Sequence, residues 1–74
     1  MQEENYKGYL IKALAVQDTF GGWLPEFRIW KDGQVIVSQK RRDHSFETVR
    51  EAEEGALSWG KYWIDKQLKV GKLT

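Results

Sequence analysis

The sequence predicts an α+β domain with a three-stranded antiparallel sheet packed on one C-terminal helix. Three extended segments separated by turn residues precede one long segment with helical periodicity. This order is that of an antiparallel sheet with a helix across one face. A chain of 74 residues forms one domain, here residues 1–74. We expect residues 9–68 to be its ordered core and residues 1–5 and 70–74 to be flexible.

Alternating side chains define the three predicted strands, which run from about Tyr9 to Gln17, Trp23 to Lys31 and Gln34 to Lys40. Turn residues from Asp18 to Gly22 separate the first two strands. Pro25 lies near the start of the second strand, where a missing ladder donor is tolerable.

Asp32-Gly33 predicts a hairpin between the second and third strands. A two-residue turn would put Ile36 and Ser38 on the face that carries Phe27 and Ile29. A type I turn followed by a left-handed Gly33 bulge would put four apolar residues together. We favour this second register because a one-residue slip moves the whole set to the other face. The four residues are Phe27, Ile29, Val35 and Val37.

The fourth segment predicts a helix from about Thr48 to Gln67. Thr48 and Glu51 have the spacing of a capping box, in which the hydroxyl accepts from the Glu51 amide and the carboxylate reaches back to the Thr48 amide. Small residues recur on the apolar face, at Ala52, Ala56 and Gly60. They let the helix backbone approach the sheet closely, which offsets the low helix propensity of Gly60.

Composition excludes several classes of protein. The chain has no cysteine, which rules out disulfides, thiolate metal sites and a thiol nucleophile. Its longest apolar run, Ala13 to Val16, is far too short to cross a bilayer. The polar, acidic start from Met1 to Asn5 does not resemble a secretory signal. We therefore expect a cytoplasmic protein with no membrane partner, no cofactor and no small-molecule substrate.

No catalytic or metal site is expected. Asp43-His44-Ser45 contains the residue types of a catalytic triad, but adjacent loop side chains diverge, whereas triad members are gathered from distant positions. Glu47, Glu51 and Glu54 fall on one side of the helix start, where the helix dipole favours solvated negative charge. We expect a protein that is not an enzyme.

Basic and aromatic residues fall on the sheet face that the helix leaves uncovered. The candidate binding residues there and in the basic run that closes the third strand are Lys12, Arg28, Trp30, Lys40, Arg41 and Arg42. Nucleic acid is one expected partner, with cations near phosphates and Trp30 stacking on a base. Protein is the alternative, including a homodimer, with Trp30 and Arg28 as anchors. A third interpretation is that the N-terminal residues or the loop with Phe20 and Trp23 cover the face.

The junction Phe46-x-Thr48-x-x-Glu51-Ala52, together with three strands before the helix, resembles the arm-type N-terminal DNA-binding domains of phage and transposon tyrosine integrases. Those domains are similar to plant ethylene-response-factor domains, in which the sheet lies in the major groove. The resemblance implies DNA contacts by Arg28, Trp30 and Lys40, with Lys12 or Arg42 as further contacts. The alternative that the sequence leaves open is a small bacterial or prophage protein outside these families. We therefore expect a non-catalytic binding module.

Overall fold

The computed structural model describes residues 1–73 and is an α+β structure, with an antiparallel sheet packed on one C-terminal helix. Within that range, the sheet has four strands rather than the three that the sequence predicts. The elements are β1 (Gln2–Tyr6), β2 (Tyr9–Gln17), β3 (Trp23–Lys31), β4 (Gln34–Lys40) and α1 (Val49–Lys69). Each strand pairs with its neighbours in sequence, so the spatial order is β1-β2-β3-β4. The three predicted strands and the predicted helix are confirmed.

Strand β1 lies where the sequence predicts a flexible segment over residues 1–5. Lys7 and Gly8, whose φ angles are 52° and 86°, turn the chain so that Glu4 pairs with Ile11 of β2. The three-strand prediction lacks this strand because the acidic stretch shows no apolar alternation.

Contacts with the helix hold β1 in place. The Tyr6 hydroxyl lies 2.8 and 3.0 Å from the two oxygens of Asp65, and Lys7 Nζ lies 2.6 Å from the same carboxylate. Two further ion pairs join this region to α1, Lys61 to Glu4 at 2.6 Å and the amino terminus of Met1 to Glu53 at 2.8 Å. The strand is thus stabilised by contacts between residues that are distant in sequence.

The C-terminal residues 70–73, which were also predicted to be flexible, close the helix end. The Val70 amide donates to the Lys66 carbonyl at 3.1 Å, and the Lys72 amide donates to the Gln67 carbonyl at 2.9 Å. Thr74, the last residue of that predicted segment, lies outside the described residues.

The hydrophobic core lies between α1 and one face of β2 and β3. Ile11 pairs with Ile29, Ala13 pairs with Phe27, and all four side chains are fully buried. The Phe27 ring meets Trp59 edge to face, with centroids 4.5 Å apart. Because successive strand residues alternate between faces, the residues between these pairs lie on the opposite side of the sheet.

Two glycines of α1 permit close packing. A Cβ atom on Gly60 would lie 2.9 Å from Cγ2 of Ile11, which confirms the predicted close approach of helix and sheet. Gly55, for which the sequence suggests no packing role, lies against Phe46. A Cβ atom there would lie 2.8 Å from Cζ of that ring.

The predicted helix start is confirmed in its main feature. The Thr48 hydroxyl accepts a hydrogen bond from the Glu51 amide at 3.1 Å. The Glu51 carboxylate does not return to the Thr48 amide as predicted but accepts from the Thr48 hydroxyl at 3.0 Å. One hydroxyl therefore serves both the backbone and the carboxylate.

The turn between β3 and β4 differs from the prediction. Lys31 pairs with Gln34 across a two-residue loop. Both loop residues have positive φ, 51° at Asp32 and 80° at Gly33, as in a type I′ turn. The predicted type I turn with a bulge at Gly33 was therefore wrong.

A bulge in β4 replaces the one predicted in the turn. The register shifts beyond Ile29, so that Val37 pairs with Ile29 while Val35 pairs with Trp30. Val37 shares the helix-facing side as predicted, but Val35 lies on the opposite side. Because Ile36 is one residue extra relative to β3, Val35 and Val37 lie on opposite sides of the sheet, while the β3–β4 pairing before and after the bulge stays regular.

Candidate binding face

We call the side of the sheet opposite α1 the open face. Cross-strand pairing places its side chains in four rows that run across the strands. In order along the strands, these rows are Asn5-Leu10-Trp30-Val35, Glu3-Lys12-Arg28-Ser38, Leu14-Glu26-Lys40 and Val16-Leu24. Two mostly apolar rows therefore flank the two central rows, which carry the charges.

The two central cations of the open face lie beside carboxylates. Lys12 Nζ is 4.5 Å from the ring centroid of Trp30 and 3.7 Å from the Glu3 carboxylate. The Arg28 guanidinium is 3.0 Å from Glu26, and its Nε donates to that carboxylate at 3.1 Å. Since a neighbouring opposite charge offsets each of these cations, the centre of the face has little net positive potential.

One end of the open face is apolar and exposed. Val35 is 46 % exposed and pairs with Trp30 on the neighbouring strand, and Ile36, the next residue along β4, is 41 % exposed. The indole Nε1 of Trp30 is buried and has no acceptor within residues 1–73. Apolar side chains at this end are therefore open to solvent.

The six predicted binding residues do not all share this face. Four of them lie on it: Lys12, Arg28, Trp30 and Lys40. Arg41 is directed to the helix side, with its guanidinium 5.5 Å from the ring centroid of Trp59. Arg42 is exposed beyond the end of β4. The strand alternation that places Lys40 on the open face therefore takes Arg41 away from it.

The N-terminal residues and the loop before β3 do not cover the open face. The N-terminal residues extend the sheet at its edge as β1, and Phe20 of the loop is 93 % exposed to solvent. Trp23 begins β3 and pairs with Phe46. The face therefore has no covering layer within the described chain.

The loop residues with catalytic side-chain types make other contacts. Arg41 donates to both oxygens of Asp43, at 3.1 and 3.2 Å, and this hydrogen bonding lowers the pKa of the Asp43 carboxyl below its ordinary value. The His44 ring lies against Phe46, with centroids 4.7 Å apart. These contacts fix the loop against β3 and α1.

Metal binding and membrane crossing are two further features that residues 1–73 could provide. No group of three or more His, Cys, Asp or Glu side chains there is arranged to hold a metal ion. Of the acidic residues at the helix start, Glu51 bonds Thr48 and Glu54 pairs with Arg50 at 3.0 Å. No helix in this range combines the length and apolar character needed to cross a membrane.

Sequence reasoning missed three members of the open face. Glu3 and Asn5 were missed because β1 was not predicted, and no local signal marks it. Val35 was assigned to the helix side because the bulge was placed at Gly33, three residues before its position at Ile36.

The fold and the face define a small α+β domain in which one helix covers a single side of an antiparallel sheet. Residues 1–73 match the model of the family described as "Domain of unknown function (DUF6566)". Since the match covers almost the whole chain, the protein belongs to this family. No curated protein and no solved structure matches the chain.

Proposed function

We propose that this domain is a non-catalytic binding module whose open face docks protein, and that the docked protein is a second copy of the chain. The observation that carries the proposal is the order of the four rows. An apolar row lies at each end, and Arg28 and Glu26 lie in the two adjoining central rows. A face with this order is complementary to itself.

In the proposed dimer, the open faces of two copies stack on each other. A two-fold axis relates the copies; it lies between the two sheets, runs perpendicular to the strands and passes midway between the central rows. Such an axis brings the same patch of both copies together, and stacked sheets pack with nearly aligned strands. Apolar rows then meet each other, and one pair of opposite charges forms at the centre: Leu10 faces Val16, Trp30 faces Leu24, and Arg28 faces Glu26.

The charge distribution favours protein over nucleic acid. Phosphate binding depends on cations that can replace counterions, whereas Lys12 and Arg28 already lie beside Glu3 and Glu26. Lys40 and the exposed Arg42 are the cations that would favour nucleic acid. They lie toward one end of the face, away from the exposed apolar end.

The size of the face sets the expected affinity. Four strands about 4.8 Å apart, each about seven residues long at ~3.3 Å per residue, give roughly 450 Å² for each copy. A standard interface buries about 800 Å² on each partner. We therefore expect a weak dimer with a Kd in the micromolar range or above, formed at high local concentration.

A charge-swap experiment tests the dimer. Sedimentation velocity over a range of concentrations should show self-association of the native chain. Arg28→Glu should weaken it at least about tenfold, because two carboxylates would then face each other. Adding Glu26→Arg should restore it, since the swapped charges again meet their opposites. Arg50→Glu, which breaks a more exposed ion pair on the helix, is the control.

Three results would contradict the proposal. One is a chain that stays monomeric at millimolar concentration. Another is a dimer that Arg28→Glu and Arg50→Glu weaken equally. The third is binding to a random-sequence DNA duplex that falls steeply as salt is raised, with no self-association. That last result would assign the open face to nucleic acid instead.

A further inference from the structure

A cleft lies on the helix side of the sheet, away from the open face and independent of its proposed role. It has a volume of about 140 Å³ and is lined by Pro25, Arg41, His44, Phe46, Gly55 and Trp59. An apolar protein cavity of about 150 Å³ is large enough to bind benzene. The cleft therefore has the size of a single aromatic ring.

The walls of the cleft are flat and fixed in place. The Phe46 ring packs on Gly55, where a Cβ atom would lie only 2.8 Å from it. The backbone of Phe46 exchanges two hydrogen bonds with Trp23, at 2.8 and 2.9 Å. Trp59 is held from behind by the buried ring of Phe27. A ligand would therefore meet two aromatic side chains whose positions are set by packing.

The polar groups that line the cleft are hydrogen-bond donors. The Arg41 guanidinium lies 5.5 Å from the Trp59 ring centroid, and His44 contributes an imidazole. Asp43 accepts from Nε and one Nη of Arg41, which holds the guanidinium in position but, like Glu26 beside Arg28, offsets part of its charge. Because a guanidinium carries five N–H donors, others remain for a second acceptor. No carboxylate is among the lining residues.

From this combination we infer that the cleft binds a one-ring aromatic carboxylate. The ring lies between Phe46 and Trp59, and the carboxylate accepts charge-assisted hydrogen bonds from Arg41. The ligand is held by both features together. An uncharged ring lacks the hydrogen bonds, and a carboxylate without a ring lacks the stacking.

Amide and indole shift titrations of the full chain with three probes test the inference. Benzoate should shift the Gly55 amide and the Trp59 indole N–H. Benzamide, which has the ring without the charge, should bind at least about tenfold more weakly, and acetate should leave the Trp59 signal unchanged. Total ionic strength is held constant with sodium chloride, so that the shifts do not reflect salt alone.

Two substitutions sharpen the test. Arg41→Gln should remove the preference for benzoate over benzamide, whereas Arg50→Gln, an exposed arginine on the outer side of α1, should leave it intact. Asp43→Asn frees the guanidinium from its partner and should strengthen benzoate binding several-fold. All three positions are exposed, and a dispersed amide spectrum verifies folding.

The inference is overturned if benzoate at tens of millimolar leaves the cleft signals unmoved. It is also overturned if acetate gives the same shifts, because Arg41 would then be a general anion site without ring recognition. Equal benzoate affinity in the Arg41→Gln variant and the native chain would remove the carboxylate contact.

Discussion

The two faces of the sheet are made by alternate residues of the same strands, but only one of them is covered within the chain. On the helix side, Phe27, Ile11 and Ile29 are fully buried. On the open face, Val35 and Ile36 keep almost half of their surface exposed. Folding stability therefore comes mostly from the helix side, so substitutions on the two faces should affect different properties.

Phe27→Ala should have the largest effect on folding. It removes a ring that contacts both Trp59 and Trp63 and should cost about 3–5 kcal/mol. A chain of this length has a free energy of unfolding of only about 4–11 kcal/mol. Urea denaturation followed by circular dichroism should therefore show a variant near the limit of folding.

The matched substitution on the open face is Trp30→Ala. It removes a larger ring, yet its cost should be less than half that of Phe27→Ala because Trp30 is only partly buried. Equal losses of stability at the two positions would show that both faces contribute equally to the fold.

Gly60→Ala should have the second largest effect. The added methyl group would lie 2.9 Å from Ile11 Cγ2, and such overpacking costs about 1–3 kcal/mol. Alanine regains about 1 kcal/mol of helix propensity, so a net loss of up to about 2 kcal/mol is expected in urea denaturation. Ser58→Ala, at an exposed position of the same helix, is the control and should change stability little.

Most of the helix-covered face could be predicted from the sequence, because local patterns specify it. Alternation defines β2, β3 and β4, the Thr48 capping box defines the helix start, and the small-residue stripe indicates close packing at Gly60. The open face was harder, since no local signal distinguishes a bulge in the turn at Gly33 from one at Ile36. Both positions of the bulge keep Val37 on the helix side, but a bulge at Gly33 would put Val35 there as well, whereas the bulge at Ile36 puts it on the open face.

Strand β1 and the cleft show why the rest could not be predicted. Gln2–Tyr6 is mostly polar, and it becomes a strand through contacts with Asp65 and Lys61, which are more than fifty residues away. The cleft depends on where Phe46 meets Gly55 and on Arg41 turning toward Trp59. Both arrangements arise from tertiary packing, which a single sequence does not display.

The Asp65 cluster predicts a pH dependence on the helix side. Hydrogen bonds from Lys7 and then Tyr6 lower the pKa of the Asp65 carboxyl below its ordinary value of 3.8. A carboxyl with a lowered pKa contributes stability above its ordinary pKa, and that contribution is lost as pH falls through the folded value. Asp65→Asn should therefore destabilise the chain at neutral pH but not in strong acid.

Urea denaturation at several pH values checks this expectation. The difference in midpoint between the native chain and Asp65→Asn should be constant from neutral pH to about pH 5 and should shrink below pH 4. Asp43 also has a lowered pKa, but it is present in both proteins, so its effect cancels in the difference. A difference that does not change with pH would show that the Asp65 charge contributes nothing.

Ile36→Ala should have the smallest effect on folding and separates the two faces most clearly. Ile36 is the extra residue of the β4 bulge, is 41 % exposed and follows Val35 of the open face directly in sequence. Its truncation should change the free energy of unfolding by about 0.5 kcal/mol or less.

If the open face stacks on a second copy, the same change should weaken self-association, because the apolar end would lose part of its buried surface. Sedimentation velocity and urea denaturation of one variant measure both quantities. A loss of stability comparable with that of Gly60→Ala would mean that the bulge belongs to the core and not to an interaction surface.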